Sequence, residues 1–490
     1  MSVAAPNSAA AALRPARARR ILPALLAGSV GLIAALVFLP HLRAGFVSDA
    51  FGFLGRARGA TLGSLAALFI PSATTWYRPV TGLVFWIEYR LFGLDPIGYH
   101  AVALACHVAS SVLIFRLSRR VARSDLGASL AAGAFLFSVH AHEVVFDIAD
   151  LHNALSGVAL LACVLAYARG ARGVSLGLGA LTMTIDETGL LALPLVGLWE
   201  AAFAVRSAGR RPIIAAAIRL APFAALTAGY LAFRMLVGGA IAGEGPPCRT
   251  VTCLAVAAAE YLNRLFVRPD SLLSGIWTRR FSLAAATLVT VAVALALVRP
   301  WTWRTWRPAL YGAAWVAGTT LFFILALFPY VTDRFVYVPD MGLALLLAAA
   351  AAESRRRWPA ASRAARAGAA LVGLAVILWI AAGASMLAHR GQLWDRAGAR
   401  ARSIVESTAA LVPDPPPNAL FVFREVPDSD TPDVPPGNTG PYLFRNGLRA
   451  ALRIRYGRTD LEVKRGPDGP PGAILLVIDG GRVRRVAPPE

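Results

Sequence analysis

Charge is scarce in this chain: only 16% of its 490 residues are Asp, Glu, Lys or Arg, against about a quarter in an ordinary soluble domain. With a mean hydropathy of +0.58, that scarcity excludes a soluble globular protein and, equally, a disordered chain. Cysteine is rarer. Four cysteines are too few for a disulfide scaffold, and no run of Cys and His has zinc-ligand spacing. Lysine is almost missing, Lys464 being the one exception among 49 basic residues. The arginine, alanine, glycine and proline bias fits a high-GC bacterial genome. A net charge of +21 would suggest nucleic acid if it lay in patches on a polar fold, but here the arginines stand between apolar runs. A bilayer is therefore the expected partner, and nucleic acid is not. No repeat of 20 to 50 residues is found.

What the chain has in quantity is hydrophobic length. Apolar stretches of about 17 to 20 residues, enough to cross a ~30 Å hydrocarbon layer, recur eleven times. They lie near 21–40, 100–115, 126–140, 151–168, 173–185, 188–204, 219–236, 281–298, 309–328, 335–352 and 368–388. The first is read as an uncleaved anchor, being long, without a small-residue cleavage site, and preceded by Arg14, Arg17, Arg19 and Arg20. Arginine then clusters on alternate loops: Arg116 to Arg123, Arg169 and Arg172, Arg206 to Arg219, Arg299 to Arg307, and Arg355 to Arg366. Arg279 and Arg280 are the exceptions. Acidic residues do the reverse, with only Asp125, Glu200 and Glu353 at the arginine-rich ends. Positive residues resist translocation, so the N-terminus is expected in the cytoplasm and the C-terminus outside a bacterial cytoplasmic membrane.

The expected fold is an all-α polytopic membrane protein with a small C-terminal α/β domain. Residues 1–20 form a cytoplasmic tail and 21–388 the membrane domain, with outer loops at 41–99 and 237–280; 389–490 form the outer domain. Fourteen of the 32 prolines fall in that last segment, which excludes it from the membrane. Strands are expected at Asn418 to Arg424, Ala473 to Ile478 and Arg482 to Val486, the last two joined by a glycine turn, with a Pro-rich loop over 426–441. Cys248 and Cys253 in the second outer loop either close a small disulfide or remain two thiols; Cys106 and Cys163 are core filler.

Ionisable groups are costly near hydrocarbon and mark functional candidates. Here Asp49, Arg78, Glu88, His140, His142, Glu143, Asp147, Asp150, Asp186, Glu187, Arg234, Asp333 and Arg334 all fall at outer span ends or just beyond. A span end tolerates charge, so one such residue says little. Carboxylates and arginines from several span ends together describe a polar pocket open to the outside. Asp49, nine residues beyond the first stretch, has the position of a general base. His140-Ala141-His142-Glu143 offers two imidazoles and a carboxylate, but its spacing is a weak metal motif; hydrogen bonding to a sugar or a structural cap suits it better. No motif fixes a cofactor, and a divalent metal is left open.

The order of motifs is familiar. Phe46-Val47-Ser48-Asp49, Tyr77-Arg78-Pro79-Val80, Leu91 to His100 with His107, His140 to Glu143, Asp186 to Gly189, Tyr230 to Arg234, and Asp333 to Pro339 resemble the GT-C superfamily of polytopic membrane glycosyltransferases. The similarity is to the protein O-mannosyltransferase-like branch, often fused to tetratricopeptide repeats. That resemblance implies a polyprenyl-phosphate-linked sugar as donor and transfer outside the membrane to a protein, lipid or glycan. It places the catalytic acid of the first outer loop at Asp49. Arg78, Arg234 and Arg334 are then the cations for the lipid phosphate, and His140, His142, Glu143, Glu187 and Asp333 line the substrate site. The chain departs from the branch at Ala50, where relatives have a second acid, at Ala141 in place of a proline, at Asp186 where a lysine is usual, and in lacking repeats. Rival classes are a lipid or polysaccharide flippase, which more often shows charge at the midplane and paired repeats, and a non-catalytic envelope assembly protein working through its tail.

The orientation is directly testable. A phosphatase reporter fused after residue 400 should be active and one fused near residue 122 silent; the opposite result discards the outer-side pocket.

Overall fold

The computed structural model describes residues 28–70, 76–204, 212–237, 250–267, 303–327, 332–358, 362–428, 441–479 and 481–486. After α1 (Gly28–His41), the first loop is itself helical: α2 (Asp49–Gly59), α3 (Leu62–Ala67) and α4 (Pro79–Phe92). There follow α5 (Pro96–Ala122), α6 (Asp125–Leu136), α7 (Ala141–Phe146), α8 (Leu151–Ala168), α9 (Arg172–Ile185) and α10 (Ala192–Trp199). Next come α11 (Pro212–Leu236), α12 (Val251–Val267), α13 (Trp303–Leu327), α14 (Asp333–Arg357) and α15 (Arg363–Leu411).

Seven helical segments are long and apolar enough to cross a membrane: Pro96–Ala122, Ile148–Ala168, Glu187–Ala204, Pro212–Leu236, Trp306–Ala326, Asp333–Arg357 and Arg366–Leu411. The polytopic all-α architecture is thus observed, with seven full-length spans among the described residues where eleven were expected. For α6 and α9 the difference is one of length; α1 begins at the edge of the described residues. Gly28–His41 and Asp125–Leu136 are shorter apolar helices, and α9 has 14 residues, about 21 Å against a ~30 Å core. The stretch 281–298 lies outside the described residues, as does Cys248; Cys253, on α12, is disulfide-bonded. Cys106 and Cys163 are free thiols.

Local chemistry sets the helix ends. Asp95 accepts from the Ile97 N–H at 3.0 Å with Pro96 in the first turn, and Ser124 accepts from the Gly127 N–H at 3.1 Å; both satisfy orphan donors at a helix start. The centre of the bundle is built by α5, α6, α8 and α14. There His107 lies buried between them, its Nε2–H donating to the Leu136 carbonyl at 3.0 Å and its Nδ1 accepting from the Tyr337 hydroxyl at 3.0 Å.

The C-terminal segment forms a four-stranded sheet in the order β2-β1-β3-β4, from β1 (Leu420–Arg424), β2 (Glu462–Arg465), β3 (Ile474–Asp479) and β4 (Arg482–Arg485), with α16 (Leu448–Tyr456) between β1 and β2. β1 runs parallel to both neighbours and β3 pairs antiparallel with β4. The expected hairpin is there, although Gly480 and most of the Pro-rich loop (429–440) lie outside the described residues. β2, a charged edge strand, had no periodic apolar signal.

Residue 389 falls inside α15, a continuous 49-residue helix roughly 70 Å long. No linker separates the last span from the tail. Beyond the apolar part, α15 packs on the first loop. His41 Nδ1 meets Asp395 at 2.6 Å, and a Cβ on Gly398 would stand 2.3 Å from the Gly45 backbone nitrogen. Only glycine permits that approach. Gly398→Ala should therefore lower the melting temperature in detergent, consistent with the ~1–3 kcal/mol cost of overpacking; an unchanged melting curve would show that α15 and the loop are not in contact.

Candidate active site

Asp49 opens α2 and is exposed. The residue before it, Ser48, has φ 43° and ψ −122° in a turn closed by the Ala50 N–H donating to the Val47 carbonyl at 3.1 Å. Glycine is the usual residue there, and a side chain in this region costs on the order of 1–3 kcal/mol. The strain fixes the direction in which α2 leaves the turn, and so where Asp49 stands. α2 buries Ala50 and Leu54 against Phe85, Tyr99, Ile148 and Leu151. That packing places Asp49 within electrostatic range of Asp147 and Asp150.

Those two carboxylates belong to a second group. Asp147 accepts from the Ala149 N–H at 3.0 Å and so caps the turn leading into α8. Asp150 Oδ2 accepts from Arg334 NH1 at 3.1 Å. The Arg334 backbone N–H, in the first turn of α14, donates to Glu143 Oε2 at 2.9 Å, putting a carboxylate from α7 at the positive end of that helix. Burial first, then the neighbouring Asp150, push the Asp147 carboxyl well above the ordinary carboxylate range; Arg334 works in the opposite direction.

The third group surrounds Arg78, which precedes Pro79 at the start of α4. Thr81 donates to the Ile185 carbonyl at 2.8 Å, pinning that start against the end of α9. Arg78 sends Nε and NH2 to Glu187 Oε2 at 3.1 and 2.8 Å, and NH1 to His152 Nε2 at 3.1 Å. His152 donates from Nδ1 to the Ala149 carbonyl at 3.2 Å. Its Nε2 also accepts from the Asn153 amide at 3.1 Å, which makes it a neutral ring. Asp186 Oδ2 stands 3.8 Å from the same nitrogen. Burial raises the Asp186 carboxyl to about 6, with Arg78 pulling it down and Glu187 pushing it up. Burial opposes the charge on Arg78, but Glu187 and then Asp186 more than restore it, and its pKa lies above the usual value. These residues line a cleft completed by Phe322, Phe323, Ala326 and Phe335, with about 350 Å³ of empty space including its mouth.

Behind the pocket is a buried frame. Asp333 accepts from Arg264 NH1 at 2.9 Å and from His142 Nε2 at 2.9 Å, while His142 Nδ1 accepts from the Trp394 indole at 3.0 Å. His140 donates from Nε2 to the Arg264 carbonyl at 3.0 Å and has Nδ1 3.0 Å from the Ser138 hydroxyl. Both imidazoles are 1% exposed, so in this structure neither reaches a substrate. Arg234 is also buried, at 1%, 5.9 Å from the centre of the Tyr77 ring. Arg78 and Arg334 retain more access, with 22% and 28% of their side chains exposed, and each lies over an aromatic ring, Trp76 at 4.6 Å and Phe335 at 5.1 Å.

The structure thus gathers Asp49, Glu143, Arg334, Arg78 and Glu187 at one end of the bundle and sets His140, His142 and Asp333 behind them. Arg264, Trp394, His152 and Asn153 were not singled out in the sequence. His152 and Asn153 follow Asp147 and Asp150 at the start of a span, and that polar run was the available signal; Arg264 and Trp394 gave none. Among the described residues no three His, Cys, Asp or Glu side chains are placed to hold a metal ion.

No family model matches the chain. It is similar to the protein O-mannosyl-transferase Tmtc1 of Drosophila melanogaster, 31% identical over 198 residues that make up 36% of this chain and 23% of the relative. It is also similar to the protein O-mannosyl-transferase F38B6.6 of Caenorhabditis elegans, 28% identical over 125 residues, 24% of this chain and 18% of the relative. The chain thus spans less than a quarter of the length of these curated relatives. Of solved structures, it is similar to ArnT from Cupriavidus metallidurans bound to undecaprenyl phosphate, 14% identical, with 89% of this chain and 85% of that chain covered at a TM-score of 0.47. The apo form of the same protein gives 16% identity, 91% and 87% coverage and a TM-score of 0.44. The resemblance to the O-mannosyltransferase-like branch, read from the motifs, is therefore matched by sequence relatives.

The pocket's charge balance can be measured with sulfate, whose own charge is constant between about pH 5 and pH 7. Protonating Asp186 removes a negative charge beside Arg78, so an anion there binds more tightly as pH falls through about 6. Sulfate-induced thermal stabilisation should accordingly grow over that range, and Asp186→Asn should show the low-pH response throughout. A wild-type response independent of pH would remove Arg78 as the anion-binding cation.

Proposed function

We propose that the chain is a GT-C-type glycosyltransferase that moves a sugar from a polyprenyl-phosphate donor to an acceptor hydroxyl, on the outer side of a bacterial cytoplasmic membrane. One observation carries the reading: an exposed carboxylate, Asp49, lies within electrostatic range of Asp147 and Asp150, at the same end of the bundle as Arg78 and Arg334, the two arginines of the motifs that keep part of their side chains open. The O-mannosyl-transferase relatives supply the class of reaction.

Asp49 takes the proton of the acceptor hydroxyl as its oxygen attacks C1 of the sugar. The bond from C1 to the phosphate oxygen breaks, and the electron pair leaves with the lipid phosphate. Arg78 and Arg334 stabilise that departing anion, since a guanidinium fork matches phosphate oxygens in two places at once. Glu187 and Asp150 hold these guanidinium groups in place, and Glu143 caps the helix that carries Arg334; His140, His142 and Asp333 serve as the rigid frame behind them. The aromatic side chains Phe322, Phe323 and Phe335 give the cleft an apolar wall on which the first isoprene units of the donor would lie.

The test uses a strain lacking the gene, whose membranes should accumulate one polyprenyl-linked sugar. The wild-type gene should clear it. Asp49→Asn keeps the size and removes the base, so it should clear at least ~10²-fold more slowly with the protein present at normal level. Arg78→Lys and Arg334→Lys keep the charge and lose the fork, and should raise the donor KM. Wild-type clearance by Asp49→Asn would sink the base assignment and pass it to Glu143; unchanged donor KM in both lysine variants would move the phosphate elsewhere.

A further inference from the structure

Asp49 is not held by the helical bundle alone. Its Oδ1 accepts a hydrogen bond at 3.0 Å from the side-chain amide of Asn446, 397 residues further along the chain. The strained residue before it is held from the same direction. The Ser48 N–H donates to the Leu443 carbonyl at 2.7 Å, and a Cβ on Gly447 would stand 1.9 Å from the Ser48 carbonyl oxygen. Phe51, two residues past Asp49, stacks on Phe444 with centroids 6.1 Å apart and planes at 20°. Arg58, at the far end of α2, donates to the Ile454 carbonyl of α16 at 2.8 Å. The C-terminal segment 443–447 therefore lies flush on the turn that presents the acid.

An exposed carboxylate at the start of a helix has two equivalent oxygens and a broad terminal torsion. One directed donor removes that freedom: with Oδ1 held by Asn446, Oδ2 is left for another partner. We propose that Asn446 is a positioning residue for the transfer reaction, fixing Asp49 so that Oδ2 faces the acceptor hydroxyl, and that the C-terminal domain thereby forms one wall of the active site. This rests on Asp49 being the base. It also gives the tail a role that its own sequence, without any catalytic motif, did not announce.

The experiment uses the full-length protein in proteoliposomes, with the polyprenyl-linked sugar extracted from the deletion strain as donor. Asp49→Asn is assayed first. If it retains wild-type transfer, the base assignment fails and the role of Asn446 fails with it; if it does not, the remaining variants judge Asn446 alone. Asn446→Ala should lower kcat about 10- to 100-fold, the scale of a misplacement near 1 Å, with donor KM unchanged. Asn446→Asp, equal in size but opposing the Asp49 charge, should be slower still and less thermally stable. The exchange Asp49→Asn with Asn446→Asp restores an amide–carboxylate pair, and should regain the lost thermal stability while remaining inactive. Arg484→Ala, on the far edge strand of the same domain, should leave kcat unaltered. Wild-type kcat in Asn446→Ala, or an effect on donor KM alone, overturns the proposal.

Discussion

A carboxylate buried in a helical bundle has to be compensated, and the way Asp333 is compensated sets the frame of this molecule. It takes one hydrogen bond from Arg264 on α12 and one from His142 on α7. His142 in turn is fixed by Trp394 on α15. Four helices far apart in sequence thus meet at one charge. Removing a partner from such a pair leaves an unpaired buried ion, at a cost of about 3–5 kcal/mol, so these helix ends keep one arrangement. The pocket is built on it: the residue after Asp333 is Arg334, and the residue after His142 is Glu143, which caps α14. Frame residues and pocket residues alternate along the same two short segments.

In the pocket itself, charge is arranged differently. Arg78 and Arg334 are both occupied by protein carboxylates, yet both remain partly open. A bidentate partner would have to displace Glu187 or Asp150, or share the guanidinium with it. Such pairing fixes the direction of each guanidinium, which is the sense in which a site can be organised before its ligand arrives. It also makes the affinity for an anion a difference between two ion pairs rather than the strength of one.

Much of the fold was legible because the bilayer imposes a simple code. Long apolar runs such as Pro96–Ala122 and Asp333–Arg357 announce themselves by length. Legibility fails where length fails: α9 and α6 carry the same apolar composition but stop short, and only their neighbours decide how they sit. β2 was missed because an exposed edge strand, Glu-Val-Lys-Arg, has no apolar alternation to read. For the pocket, ionisable residues at span ends were enough to single out Asp49, Arg78, Glu187 and Arg334, which the structure places at one end of the bundle. They were not enough to show that His140 and His142 turn inward, since a histidine at a span end reads the same whether its ring nitrogens meet a carbonyl or water. Asn446 was invisible for a different reason. Its hydrogen bond to Asp49 is purely a matter of tertiary contact, and neutral amides in a Pro-rich tail carry no signal at all.

The unbroken α15 has a mechanical consequence. About 34 Å of helix, residues 389 to 411, continues beyond the apolar part of the span, and it carries the loop of Asp49 with it through Gly398 and His41. A span accommodates a thinner or thicker bilayer by tilting, and a tilt of about 10° would swing the end of such a rod by roughly 6 Å. Trp394, on that same stretch, is tied through His142 to Asp333, the residue before the arginine of α14. The loop of the acid and the arginine of α14 therefore hang from one rod, which would carry both in the same direction.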